Sequence, residues 1–266
     1  MYTPSRIFFK YISYLLNASN GKGHGTHSPF VFDFIVNLLR HKGISDEAFA
    51  AIELSRERLL KSADTIMVKD LGAGSAYAHK PLRNVSRIAK HALKSPKYAQ
   101  LLYRMIRYYN IESVIELGTS LGLTTQYLAL AEPKYGVVTL EGAPEIAAFA
   151  SDSFIAAGCK NIRVICGDFK DHFSNLLTET KGRKLIFFDG NHQYESTMEY
   201  FNAAVASAHE GDIFVFDDVH WSTGMERAWS EIQENEAVAC TIDLFFIGIV
   251  FFKTGFYQKQ DFVIRF

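Results

Sequence analysis

The chain has 266 residues, 48% of them hydrophobic and 21% charged. That is enough apolar material for one large domain, or a domain with an extension, and too much for a disordered chain. The 28 basic and 29 acidic residues nearly cancel, so net charge gives no reason to expect nucleic acid as a partner. Three cysteines, Cys159, Cys166 and Cys240, match neither a zinc spacing nor a disulfide framework and read as reduced thiols. The longest apolar run, Leu244 to Phe252, is far shorter than the ~20 residues a spanning helix needs. The first residues show no signal-peptide core or cleavage site, so a cytoplasmic protein without a membrane span is expected.

Up to about residue 110 the apolar spacing is helical. Ile7, Tyr11, Tyr14 and Leu15 form one stripe; Phe30, Phe34 and Leu38, and then Phe49, Ile52 and Leu59, form two more. A polar, glycine-rich loop, Asn17 to His27, separates the first two, and Pro29 fits the first turn of the second helix. Two further helices are predicted over about 81–93 and 96–109, broken at Ser95-Pro96. Residues 1–110 are therefore expected to form a helical extension or cap, whose aromatic-rich helices could pair two subunits as a homodimer.

After residue 110 the pattern changes to strand and helix in alternation. Short β-branched runs recur at 113–115, 136–140, 162–165, 184–188 and 212–216, with helix-length segments between them. Such alternation predicts parallel strands joined by right-handed crossovers. Residues 239–252 and 261–266 are strand-rich with no room for crossover helices, so the sheet should end in an antiparallel edge.

Two segments read as strand-to-helix glycine loops, Asp70-Leu-Gly-Ala-Gly-Ser75 and Glu116-Leu-Gly-Thr-Ser-Leu-Gly122. A nucleoside site also needs an acid about 20 residues on, at the end of the next strand, to bind ribose hydroxyls. Glu141 stands there after Gly122, closing Gly-Val-Val-Thr-Leu. The stretch after Gly74, from His79 to Asn110, holds no Asp or Glu. The cofactor loop is therefore assigned to Glu116–Gly122, and Asp70–Ser75 reads as an ordinary turn, or else as a lid or substrate loop.

With that assignment, Val114 to Thr125 resembles motif I of class I S-adenosylmethionine-dependent methyltransferases, in the form of the catechol O-methyltransferase-like, metal-dependent group. Four later segments follow in the family's order: Glu141, Cys166-Gly-Asp-Phe169, Phe188-Asp-Gly-Asn-His-Gln-Tyr194 and Val215-Phe-Asp-Asp-Val-His-Trp221. The resemblance covers residues 111–266. It implies a Rossmann-like α/β domain with a seven-stranded, mostly parallel sheet, an antiparallel last strand and helices on both faces. It also implies that S-adenosylmethionine is held by Glu116, Gly118, Thr119, Ser120, Gly122, Glu141, Gly142, Asp168, Phe169 and Asp189. Residues 1–110 resemble the helical extensions of bacterial members, notably over His24 to Phe32, without a motif that carries chemistry.

Asp189, Asp217 and Asp218 stand at the ends of neighbouring strands, where ligands bind in open parallel sheets. Three converging carboxylates repel without a cation, and an all-oxygen set suits Mg²⁺. The plainer reading is that they cap helices or touch cofactor. His192, three residues beyond Asp189, is placed as the base that removes a proton from the acceptor hydroxyl, with His220 as runner-up. The expected activity is methylation of a hydroxyl on a small molecule, with Asp189 and His192 as the catalytic pair. The alternatives are a cofactor-binding module without catalysis, or an RNA-directed methyltransferase using the basic stripe from Lys80 to Arg107. A dehydrogenase is disfavoured because no Tyr has a Lys four residues later.

Overall fold

The computed structural model describes residues 1–19, 21, 28–40, 46–68, 82–252 and 258–266. The Asp70–Ser75 loop, His24, His27 and Lys80 lie outside the described residues.

The helices expected before residue 110 are α1 (Pro4–Asn17), α2 (Pro29–Phe34), α3 (Ala50–Lys61), α4 (Val85–Ala92) and α5 (Pro96–Tyr108). Their starts follow local chemistry. The Thr3 hydroxyl caps α1 by accepting from the Arg6 N–H. Pro4, Pro29 and Pro96 each occupy a first turn, where a missing N–H costs nothing. α2 runs on into a π-helical stretch, Ile35–Leu39, and a 3-10 turn, Asp46–Phe49, leads into α3. The extension is not wholly helical, however. β1 (Thr65–Met67) and β2 (Leu82–Asn84) form an antiparallel pair. Each is three residues long and only Ile66 is buried, so neither leaves an alternation long enough to read.

The five expected parallel strands are β3 (Ser113–Leu117), β4 (Val137–Glu141), β5 (Ile162–Cys166), β6 (Lys184–Phe188) and β7 (Ile213–Asp217). Between and after them lie α6 (Leu123–Leu130), α7 (Pro144–Ala156), α8 (Phe169–Glu179), α9 (Tyr194–Val205) and α10 (Thr223–Glu234). The chain ends with β8 (Cys240–Asp243), β9 (Ile247–Phe251) and β10 (Gln260–Val263). This makes eight sheet strands where seven were expected. The antiparallel strand is β9, which runs against both β7 and β8, whereas the final strand β10 pairs parallel with β8. A tight turn joins β8 to β9, with Phe245 at φ 71°, and so short a link forces the chain to double back.

Two compact units make up the chain: Met1–His41 with Leu177–Phe266, and Lys42–Leu176. In the second, β3, β4 and β5 are successive parallel neighbours. Two apolar clusters support them. Ile66, Val68, Val85, Ala89, Leu121 and Ile146 form one; Phe49, Ile52, Ala99, Leu123 and Tyr127 form the other. The helices and hairpin of residues 46–108 are thus packed around α6 and α7.

In the first unit the strands run in the order β6, β7, β9, β8, β10. The predicted α1 stripe is real: Tyr14 packs with Ala18 and Phe245, flanked by Ile7, Tyr11, Leu15 and Phe246. Phe8, Phe9, Ile12 and Leu16 line the opposite, exposed face of α1. At the foot of β6 the Lys184 Nζ and Asp212 Oδ2 form a buried pair at 2.8 Å. Its remaining valences are used: Asp212 accepts the N–H groups of Lys184 and His209, and Lys184 donates to the Ser207 carbonyl. Among the described residues no helix is long and apolar enough to cross a membrane.

Gly248 on β9 shows how tightly this unit is packed, since a Cβ there would lie 2.5 Å from the Trp229 ring. Gly248→Ala should cost about 1–3 kcal/mol by overpacking. Equilibrium urea unfolding measures this, and a variant as stable as the parent would show that Trp229 has room to move.

Candidate active site

The turn from β3 to α6 is shaped by backbone that L-residues avoid. Gly118 has φ 108°, Ser120 φ 48° and Gly122 φ 77°. Gly122 is the cap of α6, and a Cβ on it would meet the Phe154 ring at 2.5 Å. Strand register puts Glu116 directly opposite Thr139. The Glu116 side chain is fully buried, and its Oε2 accepts from Thr125 Oγ1 at 2.5 Å and from Thr139 Oγ1 at 2.7 Å. Its Oε1 is buried and makes no hydrogen bond. Burial pushes the Glu116 carboxyl up to about 7, although the two hydroxyls pull it back.

Glu141 closes β4 and faces the same turn. Its Oε2 accepts the Ser120 N–H at 2.8 Å and its Oε1 the Ala143 N–H at 3.0 Å. Burial raises this carboxyl as well, opposed by those N–H groups. Each oxygen retains a lone pair for a ligand hydroxyl. On the next strand Gly167, at φ 153°, turns the chain into α8 after donating to the Glu141 carbonyl. Asp168 is exposed there and accepts the Lys170 N–H; Phe169 is half-buried. An orphaned buried carboxylate oxygen, a ribose-competent acid and an exposed acid on the adjoining strand suit the cationic nucleoside donor that the sequence implies. Gly142 leaves open space above its backbone.

In the other unit, Asp189, His192 and Asp217 offer ligand atoms that all lie within 4.8 Å of one another. Asp189 follows β6, Asp217 ends β7, and His192 sits in the turn entering α9, its Nε2 3.9 Å from Asp189 Oδ1. Asn191, at φ 53°, makes that turn, and its amide donates to Ser196 Oγ. Asp218 is not part of this group. It has φ 54°, its N–H donates to the Phe246 carbonyl, and it lines a small cavity with Ile7, His220, Trp221, Phe245 and Phe246. The expected trio of three acids is thus a trio of two acids and an imidazole.

His220 is committed elsewhere. Its Nε2 lies 2.7 Å from Asp243 Oδ2 and its Nδ1 3.1 Å from Glu226 Oε1. Its ring stacks on Phe245. Glu226 also accepts from the Tyr2 hydroxyl and the Lys10 ammonium, and Asp243 from the Trp229 indole. The imidazole is therefore a clasp between α1, α10 and β8. Sequence pattern did not show this network, nor the hydroxyls of Thr125 and Thr139. The latter had a readable signal: a Thr in β4 at the position that pairs with the last but one residue of β3.

Residues 115–219 match the family described as methyltransferase domain. A catechol O-methyltransferase from Niastella koreensis is 30% identical over 128 residues, which is 47% of this chain and 57% of that protein. The chain thus spans little more than half the length of that curated relative. Among solved structures, the Podospora anserina methyltransferase PaMTH1, bound to SAH, aligns with a TM-score of 0.55 at 14% identity, over 95% of this chain and 97% of that one. An O-methyltransferase from Bacillus cereus in complex with SAH aligns with a TM-score of 0.51 at 18% identity, over 77% of this chain and 99% of that one. At these identities the likeness establishes the fold.

The clasp has a measurable signature. Burial lowers the affinity of His220 for its proton, but the carboxylates of Asp243 and Glu226 outweigh this and raise it above the ordinary 6.5. A raised value in the folded state stabilises below the unfolded value, and the gain is lost as pH climbs through the folded one. His220→Gln should cost roughly 2 kcal/mol at pH 6 and less at pH 9, by urea unfolding at both. An equal cost at both would mean that the ring packs without carrying charge.

Proposed function

We propose that this chain, which carries a methyltransferase domain over residues 115–219, transfers a methyl group from S-adenosylmethionine to a hydroxyl of a small molecule. The observation that supports this most is the turn after β3. Backbone at positive φ at Gly118, Ser120 and Gly122 brings the Ser120 amide against Glu141. S-adenosylmethionine supplies an electrophilic methyl on a sulfonium sulfur. The loop from Gly118 to Gly122 lets the methionine end approach the backbone, Glu141 takes the ribose hydroxyls, and Asp168 and Phe169 hold the adenine. Such positioning is the main demand of an in-line transfer.

The acceptor oxygen must lose its proton, and the Asp189–His192–Asp217 group is where this chain can take it. In this reading His192 is the base, and Asp189 at 3.9 Å orients it and stabilises the charge it gains. A second reading is favoured by the spacing of the three groups: they would hold a divalent cation, which would acidify a hydroxyl bound beside it. With an imidazole in place of a third carboxylate, the set suits Mn²⁺ or Zn²⁺ at least as well as Mg²⁺.

Calorimetry with S-adenosylmethionine, with NAD in parallel, tests the donor. Binding of the first alone is expected, and failure to bind it at saturating concentration overturns the proposal. His192→Ala should lower kcat on a hydroxylated acceptor about 10²–10⁴-fold while leaving donor affinity unchanged. Turnover that survives a chelator assigns the proton to His192; turnover lost and restored by added Mg²⁺ or Mn²⁺ assigns the group to a cation.

A further inference from the structure

We infer that Glu116 couples donor affinity to pH: the donor is bound with this side chain as a carboxylate, and binding expels its proton to solvent. The inference rests on the donor reading above and adds to it a thermodynamic linkage.

Its basis is a count of hydrogens along one buried chain. The Thr139 hydroxyl donates to Glu116 Oε2, so it must take its own hydrogen bond from Thr119 Oγ1, 2.6 Å away. Thr125, in the first turn of α6, donates to the same Oε2. The order is therefore Thr119 to Thr139 to Glu116, with Thr125 arriving from the other side, and all four side chains are buried. Oε2 is saturated by these two donors. Oε1, equally buried, has no hydrogen bond. Half a negative charge on an unmatched buried oxygen is costly, so without a ligand the neutral acid competes with the carboxylate.

The charged neighbour among the described residues makes this worse. Glu141 on β4 repels a charge on Glu116 and keeps its own satisfied by the Ser120 and Ala143 amides. Thr119, Thr125 and Thr139, on the loop, α6 and β4, favour the charged form but bring no compensating cation. The side chain accordingly titrates near neutrality, at about 7. The donor carries two positive groups, a sulfonium and an α-ammonium. Glu116 anchors the base of the turn that would receive them, and a cation brought there favours the carboxylate. Affinity then rises as the proton is removed.

Isothermal calorimetry with S-adenosylmethionine at pH 7, in buffers of different ionisation enthalpy, counts the protons directly. Release of about 0.5 proton per donor bound is expected, with Kd weakening about tenfold from pH 8 to pH 6. Glu116→Gln keeps an acceptor for both hydroxyls and should flatten this extra dependence, leaving only the titration of the donor's own amine. Donor that binds with the same proton count in both proteins overturns the inference while leaving the donor reading intact. Donor that binds neither protein overturns the donor reading itself. Should Glu116→Gln fail to fold, Thr125→Val replaces it. Loss of one hydroxyl donor to the carboxylate should move the midpoint of the Kd profile to higher pH, and an unmoved midpoint would count against Glu116.

Discussion

The unit of residues 42–176 depends on the turn from Gly118 to Gly122. Between Gly118 and Gly122 the chain turns from a buried strand into a buried helix, with three residues at positive φ. Only such a turn lets the Ser120 amide reach the Glu141 carboxylate and lets α6 begin against the Phe154 ring. Side chains cannot fill that space. The Phe154 ring of α7 therefore sets a glycine in α6's cap, whatever binds to the turn.

Around that turn, acids of similar chemistry have been given different environments. Glu116 is enclosed and met by hydroxyls at one oxygen only. Glu141 is held by backbone amides at both oxygens and remains half-exposed. Asp168 is open to solvent. In the other unit, His220 is fastened between two carboxylates, while the His192 Nε2 stands 3.9 Å from Asp189 Oδ1 and the ring is half-exposed. The histidine held between Asp243 and Glu226 ties secondary-structure elements together, whereas His192 sits in a cluster with Asp189 and Asp217.

What could be read from the sequence was what repeats or punctuates. Apolar runs gave the five parallel strands nearly to the residue, and Pro29 and Pro96 marked helix starts. The β1–β2 pair was hidden because three-residue strands carry no period. The eighth strand lies where 261–266 read as strand-rich, and the count of seven came from the family resemblance rather than from these runs. At the site, strand-end acids were legible from position alone, but the direction each faces was not. Asp217 and Asp218 are adjacent, yet Asp217 joins the cluster with His192 while Asp218, at φ 54°, lines the small cavity with Phe245 and Phe246.

The clasp around α1 bears on the order in which this protein can be made. Tyr2 and Lys10 meet Glu226, Tyr14 packs on Phe245, and the Tyr14 hydroxyl donates to the Ile264 carbonyl. The Ser19 amide in turn donates to Val263. Every one of these partners is translated more than two hundred residues later. On the ribosome α1 is made long before them, and its packed face stays bare until more than two hundred further residues have been added. Nascent chains therefore carry a greasy helix in search of shelter over that long interval, a natural place for a chaperone to hold on.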